Sequence, residues 1–454
     1  MHAAALPRAL GRALLPRHPA QAIALGFGTA ILLGTTLLML PISKVGPGGA
    51  DFLSALFTAT SAVCVTGLAV VDTATYWTPF GQVAILLMIQ LGGFGIMSFA
   101  SLLAVLMARR LGLKSRISAA TETKSRGFGD VRSVLLGVLK TTIVVELIVA
   151  ALLALRFGFG YGSSPWHALW QGVFHSVSAF NNAGFALFSD NLMGFVGDPW
   201  ICLPIAAAII VGGLGFPVLF ELHRQYRKPL HWTMNTKLVL SGTAILLTTG
   251  TAFITALEWD NPGTLGRLSS ADKLLAGFFQ SVMTRTAGFN SVDLSQMDPA
   301  TWLGMDILMF IGGGPAGTAG GLKITTFAVL FFILLTEIRG GTAVNVFGKR
   351  LSRSVHRQAI TIVLLAVALV VGSTMTLMLI TDFSFDALLF ETISAFATVG
   401  LSTGITAALP PAGQLLLVLL MFVGRLGPVT LASALALRSR QLLYEFPKER
   451  PLIG

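Results

Sequence analysis

Charged residues are scarce in this chain: they make up 11% of its 454 residues, whereas a soluble domain carries about 25%. Cysteine is rarer still, because Cys64 and Cys202 are the only two. Two isolated thiols support neither a disulfide framework nor a zinc site, so we expect them to pack in the interior. In place of charge the sequence has 54% hydrophobic residues and a mean hydropathy of +0.79. This composition indicates an all-α polytopic membrane protein.

A membrane enzyme is also disfavoured by what is missing. Catalysis within the bilayer would need several His, Asp or Glu side chains clustered inside the spans, and the best candidate, His175, stands alone. The sequence therefore offers no catalytic residue and no residue set that would hold a cofactor.

Eight apolar segments are long enough to cross a hydrocarbon core of ~30 Å, which takes about 20 residues. These segments are 20–42, 78–108, 133–157, 199–222, 236–257, 301–338, 358–381 and 413–437. Four shorter apolar segments lie between them, at 52–63, 167–180, 273–284 and 386–397. We expect eight transmembrane helices and four short re-entrant helices.

Lys and Arg concentrate on one side of this arrangement. Of the 31, 23 fall in the N-terminus, the connections 109–132, 224–237 and 339–357, and the tail after 437. Cytoplasmic connections carry such an excess, so both termini are predicted to be cytoplasmic, in the plasma membrane of a cell. The net charge of +11 thus reports topology within membrane lipid, and no nucleic-acid partner is expected.

A fourfold internal repeat organises the chain. The segments "TSAVCVTGLAV", "SVSAFNNAGFALF", "SVMTRTAGFNSV" and "SAFATVGLSTG" align on Gly67, Gly184, Gly288 and Gly400, at separations of 117, 104 and 112 residues. A second glycine position follows each by 25, 28, 24 and 24 residues, at Gly92, Gly212, Gly312 and Gly424. Close packing of membrane helices explains much of this second set, but it does not explain why the first set always follows a short helix.

The repeat predicts four covalently linked units, each built as span (M1), pore helix, loop and span (M2), arranged with pseudo-fourfold symmetry as in a potassium channel. The predicted divisions are a cytoplasmic N-terminus 1–19, repeats 20–110, 130–228, 235–340 and 356–440, and a cytoplasmic tail 441–454.

The loops suit a partly dehydrated cation. Non-helical backbone survives inside a bilayer only where protein or a watery cavity satisfies its polar groups. Four loops meeting on one axis would present rings of carbonyl oxygens that replace the water shell of an alkali ion. Glycine permits the dihedrals this needs, and the C-terminal ends of the short helices would favour a cation.

Thr398-Val399-Gly400 reproduces the start of the Thr-Val-Gly-Tyr-Gly loop of potassium channels, and the other three copies are looser. No copy continues with Tyr-Gly, so a shorter filter with fewer ion sites is expected. The candidate filter residues, with K⁺ at their backbone carbonyls, are Val65, Thr66 and Gly67 (loop 1), Asn182, Ala183 and Gly184 (loop 2), Thr286, Ala287 and Gly288 (loop 3), and Thr398, Val399 and Gly400 (loop 4).

The sixth span is interrupted by "GGGPAGTAGG" at 312–321, which a continuous helix would not tolerate. We interpret this 312–321 segment as a gate below the filter, held by Arg425; a plain helix break is the alternative. A phosphate-binding loop is disfavoured, because Leu322 precedes Lys323 and no Ser or Thr follows it. The candidate gate residues are Gly312, Gly313, Gly314, Pro315, Gly317, Gly320, Gly321, Lys323 and Arg425.

Other ionisable residues inside apolar segments are functional candidates as well. Arg285 and Glu391 are expected to form a buried ion pair behind the filter, as a scaffold that does not touch the ion. Glu146 and Asp306 receive no assignment from the sequence.

Together these features resemble the Trk/Ktr/HKT superfamily of potassium transporters, in particular the transmembrane subunit of bacterial Ktr systems. The resemblance runs from about residue 20 to 440, and its specific marks are "SAVCVTGL", "SAFNNAGF", "RTAGFNS", "SAFATVGLSTG", "GGGPAGTAGGLKITTF" and "VGRLGPVTLA". Related Trk subunits carry two additional N-terminal helices. About 19 residues precede the first span here, which favours the Ktr type.

The resemblance implies potassium uptake by a homodimer in which each protomer has its own pore. It implies a cytosolic, KtrA-like ring of RCK subunits that binds the regulatory nucleotide, and stimulation by Na⁺. It assigns Gly67, Gly184, Gly288 and Gly400 as filter glycines, 312–321 as the gating loop and Arg425 as its partner. Some plant relatives carry serine at the first position, which goes with sodium permeation, so potassium preference is implied here. A proton-coupled Trk type and a less selective K⁺/Na⁺ channel remain as alternatives.

Overall fold

The computed structural model describes residues 19–110 and 131–427. The predictions for the cytoplasmic N-terminus, most of the basic connection 109–132, the end of the eighth span and the tail 441–454 lie outside the described residues.

The described part of the chain is mostly helical. In chain order its helices are α1 (Pro19–Leu38), α2 (Phe52–Val63), α3 (Thr73–Tyr76), α4 (Pro79–Arg110), α5 (Val131–Leu155), α6 (Pro165–Phe180), α7 (Pro199–Leu214), α8 (Phe216–Gln225), α9 (Met234–Glu258), α10 (Ser270–Met283), α11 (Pro299–Phe310), α12 (Ile324–Ile338), α13 (Arg353–Ile380), α14 (Phe385–Ala397) and α15 (Pro411–Leu426). A π-helical turn, Arg156–Gly160, extends α5. One small antiparallel hairpin, β1 (Asn345–Val346) with β2 (Lys349–Arg350), precedes α13.

Length and hydropathy identify a multi-pass membrane protein. Within the described ranges, the helices long and apolar enough to cross a membrane are Gln21–Leu38, Val134–Tyr161, Met234–Glu258 and Arg353–Ile380, and α7 with α8 makes a fifth if the bent pair counts as one span. These four helices, which belong to α1, α5, α9 and α13, begin the four expected repeats. Shorter apolar helices lie between or after them, at Phe52–Val63, Pro79–Gly95, Ile324–Ile338 and Pro411–Leu426.

Burial is inverted relative to a soluble protein. Large apolar side chains lie on the outer surface, with Leu147 63% and Leu379 79% exposed. The hydroxyls of Thr35, Ser176 and Ser178 are buried and donate to backbone carbonyls. A lipid solvent explains this pattern, because apolar side chains lose nothing by facing acyl chains and polar ones must find partners inside.

The short helices α2, α6, α10 and α14 run inward from the connections that follow the long helices. Asp51, Ser269 and Ser384 cap the first turns of α2, α10 and α14 by accepting a backbone N–H, and Pro165 occupies the first turn of α6. Proline and short polar residues are the side chains that favour a helix start. Each helix then ends at one of the four loops.

The fourth expected span, 199–222, is wrong as a straight helix. The chain bends by 97° between α7 and α8, at Gly215, whose φ of +90° suits glycine alone. A Cβ there would lie closer than 3.0 Å to the carbonyl oxygen of Pro315, and the Phe216 N–H donates to the Ala316 carbonyl at 3.2 Å. The bend therefore fits the 312–321 segment, which takes up the space along which a straight helix would continue.

The interruption of the sixth span lies between the end of α11 at Phe310 and the start of α12 at Ile324. Its two ends are joined by a parallel bridge between Ile311 and Leu322. The intervening backbone forms a closed loop inside the molecule.

Candidate ion site

The four loops are buried, although connecting segments normally run over a protein surface. The residues before each glycine are at most 1% exposed: Val65, Thr66, Asn182, Ala183, Thr286, Ala287, Thr398 and Val399. Buried irregular backbone must have its polar groups satisfied by other means, so these loops need a structural or functional explanation.

All four loops share one unusual backbone conformation. Two residues before the glycine, φ is +54° at Val65, +58° at Asn182, +67° at Thr286 and +50° at Thr398. The glycines themselves have φ values between +71° and +95°. Left-handed dihedrals at non-glycine residues cost about 1–3 kcal/mol each, most of all at β-branched side chains. The same strain at four equivalent positions makes these loops candidates for a functional element.

The glycines bring the loops into contact in chain order. A Cβ on Gly184 would lie 2.7 Å from the Ala287 carbonyl oxygen, and a Cβ on Gly288 would lie 2.6 Å from that of Val399. A Cβ on Gly67 would lie closer than 3.0 Å to the Ala183 carbonyl oxygen, and a Cβ on Gly400 would lie closer than 3.0 Å to that of Thr66.

Each glycine thus abuts the main-chain oxygen of the following loop, and loop 4 returns to loop 1. The contacts form a closed ring that gathers the carbonyl groups of Thr66, Ala183, Ala287 and Val399. Any side chain at the glycines would collide with this ring. Rings of backbone carbonyl oxygens replace the hydration shell of the ion in potassium-channel filters.

Serines six residues before the glycine support three of the loops, a feature that the sequence reading missed. Ser61 Oγ accepts the Gly67 N–H at 3.0 Å, and Ser394 Oγ accepts the Gly400 N–H at 3.1 Å. Ser178 Oγ donates to the Phe185 carbonyl at 2.8 Å. The recurring serine was a visible signal, and loop 3 lacks it because Val282 takes the position.

The second glycine positions hold the M2 helices against the ends of the short helices. A Cβ on Gly92, Gly212 or Gly424 would lie closer than 3.0 Å to the carbonyl oxygen of Val63, Phe180 or Phe396 respectively. Those carbonyls stand four residues before the loop glycine in repeats 1, 2 and 4. In repeat 3 the corresponding position, Gly312, belongs to the 312–321 segment instead.

The 312–321 segment is bound to the end of α7 by backbone hydrogen bonds. The Gly314 N–H donates to the Gly213 carbonyl at 2.8 Å, and the Thr318 N–H donates to the Gly212 carbonyl at 3.1 Å. The two ends of the segment are joined by the Gly312 N–H, which donates to the Leu322 carbonyl at 2.8 Å. These hydrogen bonds satisfy part of the buried backbone of the segment and fix its position against α7.

The same segment touches loops 2 and 4 directly. Thr318 Oγ1 donates to Asn182 Oδ1 at 2.8 Å, and a Cβ on Gly320 would lie closer than 3.0 Å to Thr398 Oγ1. The candidate gate and the candidate filter are thus in contact in this conformation.

Arg425 joins the segment to the first repeat. Its Nη1 donates to the Thr318 carbonyl, and its Nη2 donates to the Gly92 carbonyl at 3.2 Å. Lys323, two residues after the segment, donates instead to the carbonyl of Ala319 inside it. Arg425 is 5% exposed. Its guanidinium therefore lies in the interior and joins two buried backbone elements.

The expected ion pair between Arg285 and Glu391 is not formed. Arg285 Nη2 donates to the Gly312 carbonyl at 3.4 Å. The Glu391 carboxylate accepts from the Ser402 hydroxyl, the Thr403 N–H and the Thr406 hydroxyl. Within the described residues, the one ion pair is Arg156 with Asp198. Glu391 therefore fixes the chain that follows loop 4, while Arg285 contacts the 312–321 segment.

His175 likewise has a packing role. Its Nδ1 contacts the Gln171 carbonyl at 2.8 Å, its Nε2 lies 3.2 Å from the Leu187 N–H, and its ring stacks on Phe188. The imidazole thereby holds the chain that follows loop 2.

The segments that follow loops 1 and 2 are joined by Asp72, which accepts a hydrogen bond from Ser189 Oγ at 2.5 Å. Partial burial acts to raise the pKa of the Asp72 carboxyl, but hydrogen bonds from Ser189, Thr75 and the Ala74 N–H outweigh it and lower the pKa below its ordinary value.

Comparison with known proteins gives a consistent family. The family model described as "TrkH: Cation transport protein" matches residues 29–442. The chain is 41% identical to the Ktr system potassium uptake protein B of Bacillus subtilis, over 96% of this chain and 97% of that protein. It is 40% identical to the protein of the same name from Vibrio alginolyticus, over 95% and 94%.

Two further matches extend the comparison. The potassium/sodium uptake protein NtpJ of Enterococcus hirae is 34% identical, over 96% of this chain and 97% of its own. The crystal structure of the potassium transporter TrkH from Vibrio parahaemolyticus has the same fold, with a TM-score of 0.72 at 17% identity, covering 93% of this chain and 86% of that one. The resemblance read from the sequence is confirmed: the chain belongs to the TrkH family of cation transport proteins.

Proposed function

We propose that this protein takes up potassium ions across the plasma membrane through a selectivity filter of four single-glycine loops. The four repeats, with eight spans and four pore helices, surround one pore in a potassium-channel-like, pseudo-fourfold arrangement. The closed ring of contacts from Gly67 through Gly184 and Gly288 to Gly400 is the observation that carries the proposal.

The proposed selectivity rests on the exchange of water for carbonyl oxygen. An ion entering the filter loses part of its hydration shell, and the main-chain oxygens of loops 1 to 4 replace it. Because each loop is held in a strained conformation by buried contacts, the oxygens cannot collapse freely onto the smaller sodium ion. The short helices add the negative ends of their dipoles.

The proposed gate is the 312–321 segment. Its contacts with Asn182 and Thr398 lie directly at the filter loops, and Arg425 holds it in place. Opening would require these hydrogen bonds to be exchanged for bonds to water as the segment moves aside. Deleting glycines from the segment should therefore raise ion flux in folded protein, and an unchanged or reduced flux would argue against a gating role.

Regulation is proposed to come from outside the chain. The name of the 41% identical relative, a "Ktr system" protein "B", supports an assembly of more than one component. We propose that this assembly is a homodimer of this subunit on a cytosolic nucleotide-binding ring and that Na⁺ stimulates it. The basic connections, together with cytoplasmic termini, would provide the contact surface for such a ring.

A second candidate function is uptake with weak discrimination between potassium and sodium. It is favoured by the 34% identical relative, which is named a potassium/sodium uptake protein. Both candidate functions use the same four loops of this chain, so they differ only in the measured ion preference.

Isotope uptake by the purified chain in liposomes tests the proposal. Vesicles loaded with potassium and diluted into a buffer whose only potassium is a trace of the labelled ion should accumulate that label, and unlabelled rubidium should compete better than sodium or lithium. Equal competition by sodium would favour the second candidate. Absence of cation accumulation, with and without a regulatory ring from a Ktr system, would overturn both.

A further inference from the structure

A polar cluster that the proposed function does not use lies behind loop 2. It contains Gln90 from α4, Glu146 from α5 and Asn181, the residue that caps the C-terminus of α6. Asn181 is fully buried and Glu146 is 9% exposed. Among the described residues no cationic group pairs with this carboxylate.

The three side chains close a triangle of hydrogen bonds. Asn181 Nδ2 donates to Glu146 Oε1 at 3.1 Å and to Gln90 Oε1 at 2.9 Å. Gln90 Nε2 donates to Glu146 Oε2 at 3.3 Å. Each carboxylate oxygen thus accepts one amide N–H, and the cluster joins three helices from two repeats. An ionisable group retained at such a place in the membrane is a candidate for function.

The triangle ends directly at loop 2. Asn181 precedes Asn182, whose φ is +58°, and the Asn181 side chain presses on α4, where a Cβ on Gly93 would lie closer than 3.0 Å to Asn181 Oδ1. The adjacent Gly92 carbonyl accepts from Arg425. A shift of the Asn181 amide would therefore move the strained part of loop 2.

This support is specific to the second repeat. The residues three positions before the loop glycines are Cys64, Asn181, Arg285 and Ala397. Only Asn181 is held by a carboxylate; Arg285 contacts Gly312 instead, and Ala397 has no polar side-chain atom.

We infer that Glu146 is a positioning residue for selectivity: through Asn181 it holds loop 2 in the geometry that favours potassium. The inference rests on the proposed function. Glu146 does not contact the ring of carbonyls itself, so its effect passes through the hydrogen bonds of Asn181.

Glu146→Gln is the first test, because it keeps the shape and replaces one acceptor oxygen by an N–H₂ group that faces another donor. Loss of a buried hydrogen bond at this position should reduce the preference for potassium over sodium in liposome uptake by about three- to tenfold. Glu337→Gln, at an exposed position near the end of α12, is the matched control and should leave the preference unchanged.

The reciprocal exchange Glu146→Gln/Gln90→Glu separates hydrogen bonding from other effects. In the double variant the carboxylate sits on α4 and the amide on α5, and each of the three contacts still joins one donor to one acceptor, with Asn181 Nδ2 unchanged as the shared donor. We expect Gln90→Glu alone to impair selectivity, because it places two carboxylates together, and the double variant to recover most of the preference. A double variant no better than Glu146→Gln would overturn the proposed hydrogen-bond support.

A purely structural role predicts a different result: a lower yield and melting temperature of Glu146→Gln, with an unchanged potassium-to-sodium ratio per folded molecule. That result would overturn the inference. If Glu146→Gln does not fold, Gln90→Met removes two of the three bonds at similar volume and should shift the ratio in the same direction; an unchanged ratio there would overturn it too. Wild-type protein without cation uptake would instead refute the proposed function.

Discussion

Loops 3 and 4 have the same backbone conformation but different supports. Loop 4 is held by its own helix, since Ser394 accepts the Gly400 N–H and its carbonyl accepts the Val399 N–H at 2.8 Å. Loop 3 has Val282 in place of that serine, and its Ala287 N–H donates to the Met283 carbonyl at 3.1 Å instead.

The support missing from loop 3 comes from the 312–321 segment and from loop 2. Arg285 donates to the Gly312 carbonyl, and the Arg285 carbonyl accepts from Asn182 Nδ2 at 3.3 Å. Loop 4 is therefore hydrogen-bonded to its own helix although the 312–321 segment touches it, whereas loop 3 depends on a hydrogen bond to that segment. In repeat 3, whose M2 helix is interrupted, loop 3 is thus connected to the 312–321 segment that interrupts the helix.

The largest expected effect comes from breaking the ring at loop 4. Gly400→Ser places a Cβ against the Thr66 carbonyl at a φ of +93°, so the ring must distort, and we expect at least about a tenfold loss of potassium preference over sodium, equivalent to ~1.4 kcal/mol. Competitive uptake in liposomes measures it.

Gly404→Ser is the control for this change. Gly404 has nearly the same φ, +95°, but nothing lies within 4 Å of its Cβ position. It should lose some stability through backbone strain and keep its selectivity. Equal selectivity of Gly400→Ser and wild type would contradict the filter.

The next effect concerns the 312–321 segment, on which loop 3 depends. Arg425→Ala removes the hydrogen bonds to the Thr318 and Gly92 carbonyls, which frees the segment, and we expect basal flux to rise about three- to tenfold. Efflux of labelled potassium from liposomes without a regulatory ring is the readout.

Lys323→Ala is the comparison for Arg425→Ala, because Lys323 follows the segment closely in the chain and donates to its Ala319 carbonyl, so it does not clamp the segment to another repeat. A smaller rise is expected there. Arg425→Ala protein that is folded but has an unchanged flux would show that the guanidinium holds structure only.

The repeat pattern predicted the loops because glycine spacing records a local requirement that recurs in each unit. The positive φ at Gly67, Gly184, Gly288 and Gly400 occurs where the alignment of short segments placed it. The expectation of a break at 312–321 had the same local origin, since glycine and proline disfavour helix whatever their surroundings.

Long-range contacts could not be read in this way. Hydropathy alone indicates one span at 199–222. Gly215 and Pro217 were local signals of a break, but the 97° bend depends on the 312–321 segment that packs beside it, and hydropathy does not report that contact. The Arg285–Glu391 pair was inferred from opposite charges in neighbouring repeats, whereas the nearest acceptor for Arg285 is the backbone of Gly312. Burial in a membrane makes main-chain oxygens strong competitors for a cation.

A smaller effect should distinguish the supports of loops 3 and 4. Ser394→Ala removes one hydrogen bond to Gly400, whose net contribution is about 0.5–1.5 kcal/mol, so we expect a two- to fivefold loss of potassium preference. Ser281→Ala in α10 is matched in kind: its hydroxyl donates to the Leu247 carbonyl at 3.0 Å and does not touch loop 3. If both serines affect selectivity equally, the difference between the loops has no functional weight.

The smallest effect lies outside the membrane, where Asp72 joins the chain after loop 1 to the chain after loop 2. Its pKa in the folded protein is below the ordinary value of 3.8, so the stabilisation is complete above that value and is lost as pH falls through the folded pKa. Because Asp72 is exposed, Asp72→Asn should lower the melting temperature by no more than about 1–2 °C at pH 6, and the difference should vanish under strong acid. Ser189→Ala should give a similar shift, and the double variant should add little to either, since both remove the same hydrogen bond. Fully additive shifts in detergent-solubilised protein would mean that the Asp72–Ser189 bond does not connect the two repeats.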